Sequence, residues 1–595
     1  MGVFLAAIAF LVPKEHVSRW PLPAVTRRRF LQLVPAAFAA AACQPPAISQ
    51  PRPVGSESWE QHPGGSITLA VEAEPQTLVP SVGGPRSDAA QHLFNLVHQS
   101  LATYDDQGRP SPRVALSLPS LENGTWKVFD DGTMETVWTL RDDVQWHDGE
   151  PLTADDVVFS WRVFNDAAVP IGSRKVARLI DAIDAPDSHT VVMHWRARYA
   201  FADQITGNDL TLLPSHLLEA SYDLRREQLA AHPYWRAQFV GVGPFRVDQW
   251  SNGTIRLTAF DAYFLGRPVL NAITVRFLPD SSAAVAALLA GGIDVMLPRR
   301  AVPGVVLTLQ QRWQDARDGT SAVLPGYSWL FLAPQFSGPQ PEDLLDLRVR
   351  QALDCSLDRA AIAEAVTGDR SLASDLWVPS ADPQYALLGP DYTPTEYDPA
   401  RARDLFREAG WRRESADDVL VKQGRRFEIE LTTPPEFERT STAVAEFWRE
   451  AGVAVQVSIL NRPALTDRAG RAAYTGVELA GATPSLALIE GRLSSSNIPL
   501  AENQWVGANR GHYASTKIDE LLDRVWTTID PQARGAAERE LTAQIASELP
   551  ILGLLFYPAM AAVRSNVRGV KWPRAQTPTG WASATWNAHE WSAAS

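Results

Sequence analysis

The sequence predicts an α/β protein of two lobes, and three observations carry that reading. A strand–helix–strand unit with short linkers occupies residues 273–296, and the same rhythm begins again after about Gly319. At 595 residues the chain is too long for one ordinary domain. The hydrophobic fraction of 45% is that of a globular chain able to bury cores of useful size. A net charge of −13, with no Lys/Arg-rich run beyond the N-terminus, speaks against nucleic acid or an anionic lipid surface as partner.

The N-terminus is an address label. Thr26-Arg27-Arg28-Arg29-Phe30-Leu31-Gln32 is a charged start, followed by an apolar stretch of small residues ending at Ala40-Ala41-Ala42-Cys43. The stretch is too short for a permanent membrane span and reads as a signal peptide over residues 1–42. Its arginine group resembles a twin-arginine export signal, and its end resembles a bacterial lipobox with Cys43 as the lipidated first mature residue. Ala40 stands where Leu is usual, which leaves ordinary cleavage near Ala42 open. Upstream, Val3–Leu11 is too short to span and reads as an over-extended start or a long charged region. Residues 43–64 are rich in proline between Pro45 and Pro53 and suit a tether. Cys355, in an apolar helical stretch, reads as a buried core residue rather than a disulfide partner of Cys43.

Along the folded part, Ser66–Ala73 alternates like a strand and ends in the turn Glu74–Pro80. Val137–Leu140 is a second strand, 141–150 a loop, and Thr153-Ala-Asp-Asp156 a capping box for the helix that follows. Gly243–Val247 and Ile255–Ala259 flank an Asn252-Gly253 hairpin turn. Ile273–Phe277 is a strand, Ser281 and Ser282 cap an Ala-rich helix stopped by Gly291-Gly292, and Ile293–Met296 returns. After the restart, Tyr327–Ala333 is an aromatic-rich strand. Asp346, Asp358, Asp398-Pro399 and Asp530-Pro531 open helices, and Ile551–Tyr557 is a buried strand.

Catalytic constellations do not appear. The sequence has no Gly-x-Ser-x-Gly, no phosphate loop, no Gly-x-Gly-x-x-Gly and no Cys-x-x-Cys, and His589-Glu590 lacks the second His of a zinc helix. His147-Asp148 with Glu150, Asp155 and Asp156 is the one dense acidic group with a His. It reads as a solvated turn plus helix cap rather than a metal site. No cofactor is expected.

An ordered series of motifs then becomes specific. It runs through Leu140–Ser160, Gly243-Pro-Phe245, Asp261–Pro268, Ala287–Asp294, Arg348–Leu353 with Asp358-Arg359, Tyr397–Pro399 with Ala409–Trp411, and Val563–Val570. Over roughly residues 65–575 the chain resembles the family 5 extracellular solute-binding proteins, the peptide/nickel-binding group of ABC importers. The resemblance implies a two-lobed periplasmic-binding-protein clamshell of type II with an extra α/β domain on lobe I. Lobe I would comprise 65–95, 238–318 and 552–595, the extra domain 96–237 and lobe II 319–551. Two chain crossings would form the hinge.

The function implied is capture of a peptide between the lobes for delivery to an ABC permease, by a monomer lipid-anchored outside the cytoplasmic membrane. Glu74, Tyr327, Trp329, Trp505 and Asn509 are the ligand-binding residues the resemblance points to. One departure is clear. Peptide binders of the family hold the ligand's ammonium with an Asp after a lobe II strand, and the corresponding Val477–Ser485 has none, leaving Glu74 or Glu478 to compensate. Twenty Trp and the missing Asp favour an oligosaccharide or another non-peptide solute as the alternative ligand. The nickel branch uses a cleft His, for which His512 is the nearby candidate. An exported hydrolase is the distant alternative, and a sensor's binding partner another.

Overall fold

The alternating segment after the tether forms the first strand, β1 (Ser66–Val71), and a computed structural model places it at the centre of a sheet shared by both lobes. The structure describes residues 64–594 apart from 81, 83–87, 172–173, 252, 314–317, 380–384, 386–391, 414 and 416–417. The export signal, Cys43 and the tether up to residue 63 lie outside the described residues.

The further strands are β2 (Trp126–Val128), β3 (Met134–Thr139), β4 (Ile180–Asp187), β5 (Thr190–Trp195), β6 (Phe245–Ser251), β7 (Thr254–Ala259) and β8 (Ala272–Phe277). They continue as β9 (Val295–Arg300), β10 (Gly319–Pro334), β11 (Glu428–Thr433), β12 (Ala454–Ile459), β13 (Val477–Ala482) and β14 (Leu552–Arg564). Ten of them make one sheet in the order β12-β11-β13-β10-β14-β9-β1-β8-β7-β6. β1 with β6–β9 lies on one side of the paired β10 and β14, and β11–β13 on the other. A separate sheet has the order β2-β3-β5-β4.

Two strands are much longer than the sequence suggests. β10 was expected over Tyr327–Ala333 and runs for 16 residues; β14 was expected over Ile551–Tyr557 and runs for 13. They pair antiparallel with each other, and β14 also pairs with β9 while β10 pairs with β13. Each therefore threads both sheet halves; β10 goes from half-buried to buried along its length, while β14 is buried almost throughout. Between the pairs Leu324–Ala559 and Ser328–Tyr557 the register slips, so Pro325, Gly326 and Tyr327 face Pro558 alone. Pro325 has no N–H to give the ladder, which accounts for a bulge at this point.

Helices cover the sheet where local capping chemistry starts them. α1 is Asp88–Val97, α2 Ala154–Asn165 and α3 Ser281–Leu289. Asp280 rather than Ser281 or Ser282 caps α3, accepting from Ala283 N at 2.7 Å; the two serines are already its first helical residues. α4 (Leu347–Cys355), α5 (Arg359–Thr367) and α6 (Pro399–Glu408) start at Asp346, Asp358 and Asp398 as expected. α7 (Leu486–Leu493) starts at Ser485, α8 (Thr516–Thr527) at Ser515 and α9 (Pro531–Glu548) at Asp530.

The His147 region is structural. Asp156 Oδ2 accepts from Thr153 N at 3.1 Å and Trp146 Nε1 at 3.2 Å, while its Oδ1 accepts from Ser215 N and Oγ. The His147 ring lies between Gly241 N and Gly243 O, and burial lowers its pKa to about 4. Among the described residues no group of His, Cys, Asp or Glu could hold a metal ion.

In the second lobe the buried Arg359 pairs with the buried Asp354 and donates from Nε to Gly553 O of β14 at 2.8 Å. A Cβ on Gly553 would stand 2.4 Å from the Asp375 backbone, so α5 and its loop lie directly on this strand. Replacing Arg359 by Met strands the Asp354 carboxylate in the core. We expect a loss of about 3–5 kcal/mol, read as a lower urea midpoint with unchanged slope.

Candidate functional site

Between the lobes lies a cavity of about 310 Å³. Its first wall comes from α1, through Gln91 and His92, and from the C-terminal segment, through Pro573, Thr579, Gly580 and Ala582. Its second wall is the end of β13 and the first turn of α7: Ala482, Thr483, Ser485, Ala487 and Leu488. Tyr327, delivered by the β10 bulge, joins the two. The sequence makes this corner because Thr-Pro after β13 ends the strand and Ser485 caps α7, accepting from Leu488 N at 3.1 Å. None of the described lining residues is an Asp, Glu, Lys or Arg.

A second set of contacts closes the lobes away from the cavity. Lys175 of the extra domain donates to both oxygens of Glu490 on α7 at 2.7 Å, and its ammonium sits 3.4 Å from the ring centre of Trp526 on α8. Ala200 N donates to Trp526 O at 2.7 Å, and Tyr199 stacks on the same indole. The cation–π contact and the ion pair share one ammonium, which burial would otherwise penalise.

The five residues singled out in the sequence do not all meet at the cavity. Tyr327 lines it. Glu74 Oε1 accepts from Trp250 Nε1 at 2.8 Å and Arg236 Nη2 at 3.0 Å, with the guanidinium stacked 4.6 Å over the Trp250 ring. That cluster sits on the far edge strand, β6. Trp329 is fully buried, opposite Ala482 in register and packed on Phe331, so it backs the wall rather than forming it. Trp505 is half-buried in a left-handed turn with φ +58°, its N donating to Leu500 O. Asn509 is buried, and its amide ties the loop together, donating to Ser494 O and Tyr513 O and accepting from Tyr513 N. His512, whose pKa burial lowers, does not line the cavity.

Gly580 and the hairpin around it were missed, and Thr483 was not named although it lies in the Val477–Ser485 stretch that the resemblance put at the ligand. They carry no charge, and their part in the cavity depends on contacts between residues some hundred positions apart.

Glu478, at the start of β13, has no free oxygen for a ligand ammonium. Arg471 reaches it at 2.7 Å, Arg510 at 2.9 Å and Arg492 at 3.2 Å, and all four side chains are largely buried. Burial alone would push its carboxyl up, but the three guanidiniums outweigh burial and hold it at about 2. Burial and neighbouring Arg510 bring Arg492 down to about 10, and its guanidinium also lies 5.0 Å over the Phe331 ring.

Because the folded pKa of Glu478 lies below its ordinary 4.5, the cluster's contribution is present above about pH 4.5 and lost toward pH 2. That difference is worth about 3 kcal/mol. Glu478→Gln should therefore be destabilised by this order at pH 7 in urea unfolding. The gap to the parent should shrink as pH falls from 4.5 to 2.

Two lobes joined by paired long strands, with a cavity between them, define a clamshell binding protein. The profile of bacterial extracellular solute-binding proteins, family 5 Middle, matches residues 114–489, and the chain belongs to that family. The oligopeptide-binding protein AppA of Bacillus subtilis is 24% identical over 521 residues, covering 86% of this chain and 89% of that one. The dipeptide-binding protein of Escherichia coli is 25% identical over 421 residues, 66% of this chain and 73% of its own. Among solved structures, AppA with a nonapeptide superposes with TM-score 0.70 at 22% identity, over 90% of this chain and 100% of that one. NikZ from Campylobacter jejuni with Ni(L-His) gives 0.71 at 23%, over 89% and 99%.

Proposed function

We propose that the chain is the exported, lipid-anchored binding component of an ABC importer, taking peptides into the interlobe cavity and handing them to a permease. The observation that carries this reading is a cavity walled by both lobes with Tyr327 at the bulge between them, in a fold shared with proteins named for oligopeptide and dipeptide binding. A ligand that touches both walls stabilises the closed form by its differential contacts. At micromolar affinity it supplies about 8 kcal/mol, ample to shift such an equilibrium.

The lobes are proposed to divide at the long strands, with 65–95, 238–318 and 552–595 in lobe I, 96–237 as the extra domain and 319–551 as lobe II. Cys43 is the proposed lipid anchor, and the twin-arginine type the proposed export route. Tyr327 is the proposed ligand contact among the five residues named from the sequence. Trp329, Trp505 and Asn509 support the walls and loop around it, and Glu74 orders the far edge.

A second reading, a neutral non-peptide solute, is favoured by two observations: a described lining without Asp, Glu, Lys or Arg, and a Glu478 already engaged by three arginines. A buried ammonium without a carboxylate partner is costly.

The deciding experiment is native mass spectrometry of the exported protein carrying Cys43→Ser. Co-purified peptides support peptide capture, and a single non-peptide mass supports the second reading. Thr483→Trp fills the cavity and should weaken ligand binding at least about tenfold. Bound ligand should be recovered chemically unchanged, and turnover would revive the hydrolase. Sedimentation at micromolar concentration should give a monomer.

A further inference from the structure

The segment Pro573–Ala582 does more than line the cavity. Its stem is fixed to the extra domain: Arg574 N donates to Asp106 O at 2.7 Å, and Gly108 lies so close that a Cβ there would stand 2.7 Å from Gln576 O. Gln576–Thr577 pairs with Gly580–Trp581 as a two-residue hairpin, braced by Thr577 Oγ1 donating to Gly580 O at 2.7 Å. Gly580 has φ +136°, a conformation that glycine tolerates and other residues resist.

The tip reaches the opposite lobe. Pro578 O accepts from Ala487 N at 3.2 Å, one of the first-turn amides of α7 that lack an intrahelical partner. A Cβ on Gly580 would meet Thr483 Cγ2 at 3.3 Å, so the two lobes touch here. Beyond the hairpin the chain returns to α1, where Ser583 Oγ and Thr585 Oγ1 donate to Gln91 O and His92 O.

On one side of this hairpin is the 310 Å³ cavity, and on the other a chamber of about 30 Å³ toward Tyr104, Gly207 and Asn208. Gln91, Thr579 and Ala582 line both. The hairpin is thus a partition, without which the two chambers would form one longer trough.

We propose that Pro573–Ala582 is a strap across the cleft that limits the ligand to a short one, of two or three residues or a neutral solute of that bulk. The size argument is direct. The main chamber, at about 310 Å³, lies near the lower end of ligand sites at about 300–1,000 Å³. An extended nonapeptide is about 30 Å long and would have to leave the chamber through its open side or displace the strap. This inference rests on the peptide-capture reading for its ligand class, but not for the strap itself.

The test uses N-acetylated alanine peptide amides of two to nine residues, titrated by calorimetry into the full mature chain with Cys43→Ser. Binding should be tightest at two or three residues and about tenfold weaker at six. A variant lacking Pro578 and Thr579 should shift the optimum to longer peptides. Equal affinity for three and nine residues in the parent overturns the proposal.

A second readout needs no ligand. In hydrogen exchange, the Ala487 amide should be protected in the parent and exchange about tenfold faster in the deletion variant; equal rates overturn the strap. If no peptide binds, peptide capture fails on its own. The bulk of the co-purified solute then decides the size limit, and one larger than a hexapeptide overturns it.

Discussion

The structure depends on the pairing of β10 with β14. Both strands cross from one sheet half to the other, so among the described residues their pairing is the ladder that joins the two halves of the ten-stranded sheet. The slip at Pro325–Tyr327 interrupts this ladder where the cavity lies. A bulge increases local twist and re-aims the side chain it carries, and here that side chain is Tyr327. The buried Arg359, holding Gly553 O, and the close approach of Asp375 to Gly553 fix α5 to the same strand. Hinge, cavity and second-lobe core are therefore consequences of one pairing.

Charge is distributed on the same plan. Ionised groups lie outside the cavity lining and are satisfied by protein partners: Glu478 among three arginines, Lys175 between Glu490 and Trp526, and Glu74 with Arg236. The described cavity lining is left with amide, hydroxyl, imidazole and apolar groups. A ligand entering it exchanges water for neutral hydrogen bonds rather than for an ion pair, which makes binding less sensitive to salt than a charge-anchored site.

The sequence made local chemistry legible and long-range placement much less so. Asp346, Asp358, Asp398 and Asp530 open helices at the expected residues because an N-cap is decided within three positions. The shift from Ser281 to Asp280 is a one-residue competition between two good caps. β10 was read too short because its first half lacks the aromatic and apolar run that marks a buried strand, and β14 because Pro558 interrupts an apolar stretch that continues through Ala559–Val563. Trp329 and Asn509 look like ligand residues by type, but register and loop hydrogen bonds occupy them. Gly580 gives no compositional signal, and Thr483 was marked only by its place in the Val477–Ser485 stretch. Only the return of the C-terminal segment to the cleft brings them together.

A sheet that is continuous through both lobes has no free pivot. Strands of 16 and 13 residues can change the angle between the halves only by distributing twist over many peptide units, as a leaf spring flexes without a pin. The register slip at Pro325–Tyr327, where three residues face Pro558, is a point at which that twist changes. A joint of this kind resists bending through its own backbone ladder, so the angle between the halves is set by the sheet itself.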